Sequence, residues 1–209
     1  MRGRTPRAGG FFAALGPRSP SPAPSVPVPL AGRVAIRNAC EADLPEIAAI
    51  WAHEVLGSDA TTDTEPRTPT AQREWLARHP ECYPVIVAVT DYEVVAYGSL
   101  SPYQLKPAFA RTVEDSVYVR RDRRGSGLGT MILNELIQRA RARGHHSILA
   151  RITAKNTASL HLHARHGFRP IGLERESAFK LGRWHDITIM QCPLDTKLRD
   201  ATEKRRTTR

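Results

Sequence analysis

The chain has 209 residues, of which 41% are hydrophobic and 25% charged, so it is long enough for one ordinary globular domain with extensions. No apolar run approaches the ~18 residues of a membrane-spanning helix, which excludes an integral helical membrane protein. Cys40, Cys82 and Cys192 lie far apart and form no CxxC pair. We therefore expect neither a disulfide scaffold nor a cysteine zinc site, and we expect a cytoplasmic location.

The net charge of +10 is concentrated at the two ends of the chain. Residues 1–33 carry +5 and residues 195–209 carry +3, which leaves only +2 for residues 34–194. Basic tails can contact polyanions through counterion release, but a nearly neutral folded part does not favour a nucleic-acid-binding protein. Nucleic acid is therefore not an expected partner.

The domain organisation follows from composition. Residues 16–33 are rich in Pro, Ser and Ala and have little apolar surface to bury, so we predict a disordered basic leader over residues 1–33. Residues 195–209 are polar and charged and are predicted to form a flexible tail. Residues 34–194 are expected to fold as a single domain.

Within that domain, strand and helix patterns alternate. In chain order the pattern predicts a strand at Val34–Arg37, a helix from Leu44 to its stop at Gly57, a polar loop over 57–69, a short helix near 70–79, strands at Val85–Thr90, Val94–Ser101 and Thr112–Val119, a glycine-rich loop at Arg120–Gly129, a helix that stops at Gly144, a strand at Ser147–Ile152, a helix at Asn156–His166, and strands at Phe168–Glu174 and Ile187–Gln191. This order is typical of a mixed α/β domain.

The glycine-rich loop is the most informative segment. It follows a strand and opens a helix, where backbone N–H groups and the helix dipole favour an anion such as a pyrophosphate. Four arginines at its start strengthen that preference: Arg120, Arg121, Arg123 and Arg124. The loop has no GK[ST] and no G-x-G-x-x-G, so it is neither a Walker A loop nor a dinucleotide fingerprint. Taken alone, a flexible surface turn stays an alternative.

Arg124–Gly129 matches the Q/R-x-x-G-x-G/A motif, and the sequence resembles the GNAT superfamily of acetyl-CoA-dependent N-acetyltransferases. Asn156, Ser159, Leu162, His163 and Gly167-Phe168 follow at the family spacing. Further segments resemble the phosphinothricin acetyltransferase branch: Thr64-Glu65-Pro66, Tyr83-Pro84, Ser101-Pro102-Tyr103, Val113–Val119 and Gly182–Asp186. The resemblance covers essentially the whole folded domain.

The resemblance implies a single GNAT-type domain, with a central twisted, mostly antiparallel sheet that is splayed to admit CoA and flanked by helices. Acetyl-CoA is the implied co-substrate, a small-molecule amine the implied acceptor, and a homodimer the expected assembly. No metal is expected. The implied cofactor-binding residues are Val117, Tyr118, Val119, Arg124, Gly125, Ser126, Gly127, Leu128, Gly129, Thr130 and Asn156.

Two residues are candidate catalytic groups. Glu114 shares a strand face with Ser116 and Tyr118 by alternation, and its carboxylate would accept the proton of the attacking amine. The resemblance places His163 where a side chain protonates the leaving CoA thiolate. A solvated surface carboxylate and a histidine that merely packs near CoA are the respective alternatives.

The acceptor is less well specified than the reaction. By resemblance, Thr62, Lys106, Phe109 and Trp184 are candidate substrate-binding residues, although Lys106 and Phe109 stand where the branch commonly has Arg and Tyr, and Trp184 could instead be core. Phosphinothricin or methionine sulfoximine is the expected type of acceptor. A protein N-terminal or lysine acetyltransferase and a non-catalytic CoA-binding module remain alternatives. His161 and His163 point in different directions on their helix, which argues against a shared metal.

Overall fold

The computed structural model describes residues 33–194. The predicted tail and nearly all of the predicted leader lie outside that range, so the domain boundaries stay predictions.

Seven strands form one mixed sheet in the order β1-β2-β3-β4-β5-β7-β6. The strands are β1 (Ala35–Asn38), β2 (Val85–Thr90), β3 (Glu93–Pro102), β4 (Thr112–Val119), β5 (Ser147–Thr153), β6 (Arg169–Lys180) and β7 (Arg183–Pro193). Every neighbouring pair is antiparallel except β4 with β5. The predicted mixed α/β fold with a mostly antiparallel sheet is confirmed.

The parallel pair β4–β5 opens the sheet. It pairs only over Thr112–Glu114, opposite Ser147–Leu149, whereas β4 stays paired with β3 along its full length. Beyond Glu114 the two central strands diverge, which gives the splayed sheet that the sequence predicted.

Helices cover both faces of the sheet: α1 (Leu44–Gly57), α2 (Pro69–Ala77), α3 (Leu128–Ala142) and α4 (Thr157–Arg165). The apolar stripe of α1 packs on Val87, Val94 and Tyr97. The buried side chains of α3 pack on the opposite face, against residues of β2–β5. Alternating residues of β4 therefore belong to two different cores.

The last hairpin is longer than predicted. We expected strands that ended at Glu174 and began at Ile187, but β6 continues to Lys180 and β7 begins at Arg183. The missed part of β6 is mostly exposed and carries no apolar alternation, so the sequence showed no strand signal there. A turn with positive φ at Leu181 and Gly182 joins the strands.

Gly98 lets α3 approach the sheet. A Cβ atom at this position would lie 2.5 Å from Cγ2 of Ile132, 2.9 Å from Cδ1 of Leu136 and 3.0 Å from the carbonyl oxygen of Ser116. Two side chains of α3 therefore occupy the space that a side chain at position 98 would need.

We expect Gly98→Ala to lower the free energy of unfolding by about 1–3 kcal/mol, the usual range for an overpacked core, measured by urea denaturation. Gly172→Ala is the matched control, because the nearest atom to its added Cβ is Cδ1 of Ile189 at 3.9 Å. Equal stability of the two variants would contradict close packing at Gly98.

Candidate active site

A cavity of about 470 Å³ lies where β4 diverges from β5, next to the glycine-rich loop and the start of α4. Nine of the predicted cofactor-binding residues line it: Val117, Tyr118, Val119, Arg124, Gly125, Gly127, Leu128, Gly129 and Asn156. Ser126 and Thr130 are not among its lining residues. The hydroxyl of Ser126 instead donates to the carbonyl oxygen of Arg123 at 2.5 Å, and Thr130 is an exposed residue in the first turn of α3.

The loop presents backbone donors to this cavity. Gly125 and Gly127 have φ of 77° and 87°, a left-handed conformation that glycine adopts without a steric penalty. The turn ends at Gly127, and α3 begins at Leu128. The first-turn N–H groups of a helix have no partner within the helix and carry a partial positive charge, which suits a pyrophosphate.

The open edge of β4 supplies further donors. The N–H of Arg120 donates to the carbonyl oxygen of Val95 on β3, at 2.9 Å. Because N–H groups alternate between the two sides of a strand, those of Val119 and Val117 face the side that β5 has left. They lie on the wall of the cavity and are available to a ligand.

A buried carboxylate that we did not predict holds the arginines of the loop. Glu54, at the end of α1, accepts from Nη2 of Arg124 at 2.6 Å, Nε of Arg121 at 3.2 Å and the Ser58 hydroxyl at 2.5 Å. Burial raises the pKa of Glu54, but Ser58 and the two guanidinium groups outweigh burial and lower it overall. The signal in the sequence was an acidic residue on the apolar stripe of α1, three residues after Trp51.

A second cavity, of about 170 Å³, adjoins the first, and Ala60 and Tyr118 line both. Its other lining residues are Thr61, Thr62, Asp63, Glu114, Asp115, Ser116, Arg151, Thr153 and Ile187. Glu114 and Thr62 were predicted. Arg151 was missed, although an arginine inside the otherwise apolar strand SILARIT is itself a signal.

Glu114 lies in this second cavity with an altered acidity. Burial raises its pKa above the usual carboxyl value, the nearby Arg151 partly opposes the shift, and the carboxylates of Asp115 and Glu174 reinforce it. Guanidinium nitrogens of Arg151 donate to Glu174 at 2.6 and 3.0 Å. A raised pKa brings the Glu114 carboxyl closer to the range where a base works well near neutral pH.

His163 lies on the other face of β4. Its ring is buried, and its Nε2 is 3.0 Å from Oδ2 of Asp115. Its Nδ1 is 2.8 Å from the carbonyl oxygen of Ser159 and 3.3 Å from the Ser159 hydroxyl. His163 lines neither cavity, whereas Ser159 lines the larger one. The structure therefore separates the two candidate catalytic residues.

The partners of His163 favour the imidazolium. A carboxylate and a carbonyl oxygen accept hydrogen bonds, so both ring nitrogens must carry protons to bond them. Burial lowers the pKa of His163, but the Asp115 carboxylate and the hydrogen bonds outweigh burial and raise it above the usual value.

The three other substrate-binding candidates lie outside the lining of both cavities. Lys106 and Phe109 belong to the exposed connection before β4, where Phe109 packs edge-on against Tyr103. Trp184 is 58% exposed and contacts Phe179. Trp184 is therefore not a core residue of the single chain, because the missed extension of the β6–β7 hairpin carries it outward. Its role in acceptor binding stays a prediction.

The described part of the chain was compared with what a metal site and a membrane-spanning helix require. Within residues 33–194, no three His, Cys, Asp or Glu side chains are grouped to hold a metal ion. No helix in the same range has the length and apolar character to cross a membrane.

The family model described as the acetyltransferase (GNAT) family matches residues 48–168, more than half of the chain. The chain therefore belongs to this family and is an acetyltransferase. The resemblance to the phosphinothricin branch is confirmed by curated relatives. A phosphinothricin N-acetyltransferase of Streptomyces coelicolor is 39% identical over 171 residues, which cover 80% of this chain and 100% of the relative.

Two further similarities have the same character. An L-methionine sulfoximine/L-methionine sulfone acetyltransferase of Pseudomonas paraeruginosa is 43% identical over 162 residues, covering 77% of this chain and 94% of the relative. A crystal structure of a GNAT superfamily phosphinothricin acetyltransferase from Sinorhizobium meliloti in complex with AcCoA superimposes with a TM-score of 0.74 at 33% identity. The match covers 77% of this chain and 88% of that one.

We expect Gly127→Val to weaken acetyl-CoA binding roughly tenfold or more, measured by calorimetry, because a β-branched residue disfavours the left-handed backbone that aims the loop amides. Gly182→Val is the matched control. Both glycines have positive φ and open space where a Cβ atom would lie, but Gly182 belongs to the β6–β7 turn. An unchanged acetyl-CoA affinity in folded Gly127→Val would remove the loop from the binding site.

Proposed function

We propose that this enzyme transfers the acetyl group of acetyl-CoA to the primary amine of a small amino-acid-like acceptor of the phosphinothricin or methionine sulfoximine type. The observation that carries the proposal is the junction of the two cavities at β4, with Tyr118 shared by both. Direct transfer needs a thioester and an amine side by side, and this junction provides two adjoining compartments.

The charges in the smaller cavity favour an amino acid as the acceptor. Asp63 and Glu114 supply carboxylates for an ammonium group, and Arg151, which also bonds Glu174, has further guanidinium N–H groups for a carboxylate. Its volume of about 170 Å³ is below the ~300 Å³ at which sites for drug-sized ligands begin. The named substrates of the relatives, phosphinothricin and methionine sulfoximine, are of this chemical type.

The residues of the larger cavity fit acetyl-CoA, which would supply the thioester to be attacked. The first-turn amides of α3 and the glycine loop would hold its pyrophosphate. The free N–H groups of Val117 and Val119 would hold the pantetheine and stabilise the negative charge that develops on the thioester oxygen. Asn156 already receives the N–H of Ser159 at 3.1 Å as the N-cap of α4, which leaves its side-chain amide N–H groups for the ligand.

Glu114 is proposed as the general base. An acceptor amine is mostly protonated near pH 7 and can attack only after it loses a proton. The Glu114 carboxylate, directly or through a water, accepts that proton as the amine reaches the thioester carbon.

His163 is proposed to act through Ser159. The imidazolium Nδ1–H faces Ser159. Ser159 lines the larger cavity, whereas His163 does not. When the carbon–sulfur bond breaks, the Ser159 hydroxyl donates its proton to the sulfur and takes one from Nδ1 of His163. His163 is left neutral, with its Nε2–H still bonded to Asp115.

A homodimer and a cytoplasmic location are also proposed. Exposed apolar side chains gather on the β6–β7 hairpin: Ile171, Leu173, Phe179, Leu181 and Trp184. A second copy packed on this surface would bury them.

The proposal is tested by measuring CoA thiol release from acetyl-CoA with a panel of amines. Phosphinothricin and methionine sulfoximine should be acetylated with far higher kcat/KM than peptides with a free N-terminus or a lysine. Preference for a peptide would instead support a protein acetyltransferase. Acetyl-CoA binding without turnover of any amine would support the non-catalytic CoA-binding module.

We expect Glu114→Gln to lower kcat by roughly 10²–10⁴-fold, the usual contribution of a positioned base, with acetyl-CoA affinity nearly unchanged. The exposed Glu74→Gln on α2 is the control. Because the pKa of Glu114 is raised, its protonated form contributes stability that is lost as pH rises through that pKa. The uncharged glutamine should therefore not lower the melting temperature at pH 7. Near-normal turnover with saturating acceptor would exclude Glu114 as the base.

We expect Asp115→Asn to move the alkaline limb of the kcat profile to lower pH. As pH increases, the kcat of the wild type should first rise because Glu114 loses its proton. At higher pH, above 6.5, kcat should fall because His163 loses its proton. Without the Asp115 carboxylate the pKa of His163 drops, so the fall comes earlier. Ser159→Ala should lower kcat without moving that limb to lower pH. An alkaline limb that stays in place in folded Asp115→Asn would exclude His163 as the source of the proton.

A further inference from the structure

The loop between α1 and α2 forms the shared wall of the two cavities. Residues 58–60 line the larger cavity, and residues 60–63 line the smaller one. This loop contains no helix or strand, so its position depends on contacts made by other elements.

The far end of the β6–β7 hairpin and the end of β5 hold this loop. The hydroxyl of Thr153 donates to the carbonyl oxygen of Asp59 at 2.9 Å. Nη2 of Arg183 reaches the Asp59 carboxylate at 3.2 Å. Nζ of Lys180 donates to the carbonyl oxygen of Thr61 at 2.7 Å and to that of Glu54 at 3.2 Å.

Lys180 is an unusual residue for this role. It is 5% exposed, and lysine is rarely so deeply buried unless its charge is compensated. Burial lowers its pKa, while the carboxylates of Asp63, Asp59 and Glu54 oppose that shift. The acids around it and its two carbonyl partners account for a buried ammonium group at this point.

Thr61 connects this ammonium group to the acceptor cavity. Its side chain is buried, and its hydroxyl donates to Oδ2 of Asp63 at 2.9 Å and accepts from the N–H of Asp63 at 3.2 Å. Fixing the Thr61 carbonyl therefore fixes a residue that orients the Asp63 wall of the smaller cavity. Asp59, on the other side of the loop, has separate anchors in Thr153 and Arg183.

We propose that Lys180 is a positioning residue for the acceptor site, holding the 58–63 loop through the Thr61 carbonyl so that the smaller cavity keeps its shape. The inference rests on the proposed function, because it takes the smaller cavity as the acceptor site. Lys180 lines neither cavity and touches no reacting atom. Its removal acts through Thr61 on acceptor binding, while the anchors on Asp59 keep the acetyl-CoA side of the loop in place.

The test is Lys180→Met in the full chain, with phosphinothricin or methionine sulfoximine as acceptor. We expect the KM for the acceptor to rise roughly 10- to 100-fold, because a change of this size corresponds to the loss of one hydrogen bond to a charged donor. The Kd for acetyl-CoA should stay within about twofold of the wild-type value, since the backbone amides of the glycine loop and of the first turn of α3 are unchanged. Lys180→Arg, which keeps the charge and the donors, should recover part of the acceptor KM. Arg175→Met is the matched control, because it removes a positive charge from an exposed position of the same strand.

Hydrogen exchange of residues 58–63 is the readout that needs no acceptor. Exchange should be faster in Lys180→Met than in the wild type and unchanged in Arg175→Met. If Lys180→Met does not fold, Lys180→Gln replaces it: the amide keeps a hydrogen-bond donor but removes the charge, and faster loop exchange with a smaller rise in acceptor KM is expected.

Three results would overturn the inference: an unchanged acceptor KM, unchanged loop exchange, or an equal weakening of acceptor and acetyl-CoA binding. The last would mean that Lys180 supports the whole end of α1 and not the acceptor wall. Absence of acetyl transfer in the wild type would instead defeat the proposed function, and loop exchange would still decide whether Lys180 holds the loop.

Discussion

The divergence of β4 from β5 after Glu114 is the constraint on which the site depends. A buried strand edge is costly when its N–H and C=O groups lack partners. Here β4 is fully paired with β3 on one side but loses β5 on the other after three residues. The resulting gap is lined on its other sides by a glycine turn and by the first turn of a helix, whose N–H groups have no partner within the helix. Backbone donors from the strand edge and from the helix start thus converge on one cavity, and this arrangement favours a polar, anionic ligand.

The same strand distributes charge to two separate cores. Alternation places Glu114 on the face covered by α1 and α2, and Asp115 on the face covered by α3 and α4. On the first face, burial raises the pKa of Glu114. On the second face, burial lowers the pKa of His163, but the Asp115 carboxylate outweighs burial and raises it. One face therefore favours proton uptake by a carboxylate, and the other favours a protonated imidazole.

The sequence predicted the fold well because its signals were local. The glycine turn, the apolar stripe of α1 and the strand before the loop each depend on neighbouring residues, and each was found in place. The directions in which Trp184 and His163 point depend on tertiary contacts. The exposure of Trp184 was missed because the polar, exposed end of β6 has no strand pattern. The resemblance implied that His163 lies at the CoA thiolate, whereas its ring points to the carboxylate of Asp115, 48 residues earlier in the chain, and does not line the larger cavity. Arg151 and Glu54 were visible only as single charges in apolar patterns, and nothing local says which partner such a charge will find.

The buried charges of Glu54 and Lys180 also explain how the two cavities are kept aligned. The cavities meet at Ala60, in the loop that leaves the end of α1. There the Glu54 carboxylate bonds the arginines of the glycine loop, while the carbonyl oxygen of the same residue accepts from Lys180 of the last hairpin. An apolar contact at this place would resist separation but tolerate sliding, whereas a buried charged hydrogen bond has a preferred direction and length. Elements that are distant in the chain are therefore fixed relative to one another by directional bonds at one helix end. For a reaction that requires a carbonyl carbon and a nitrogen to meet at about 3 Å, such fixed alignment of two compartments matters more than the stability that each bond adds.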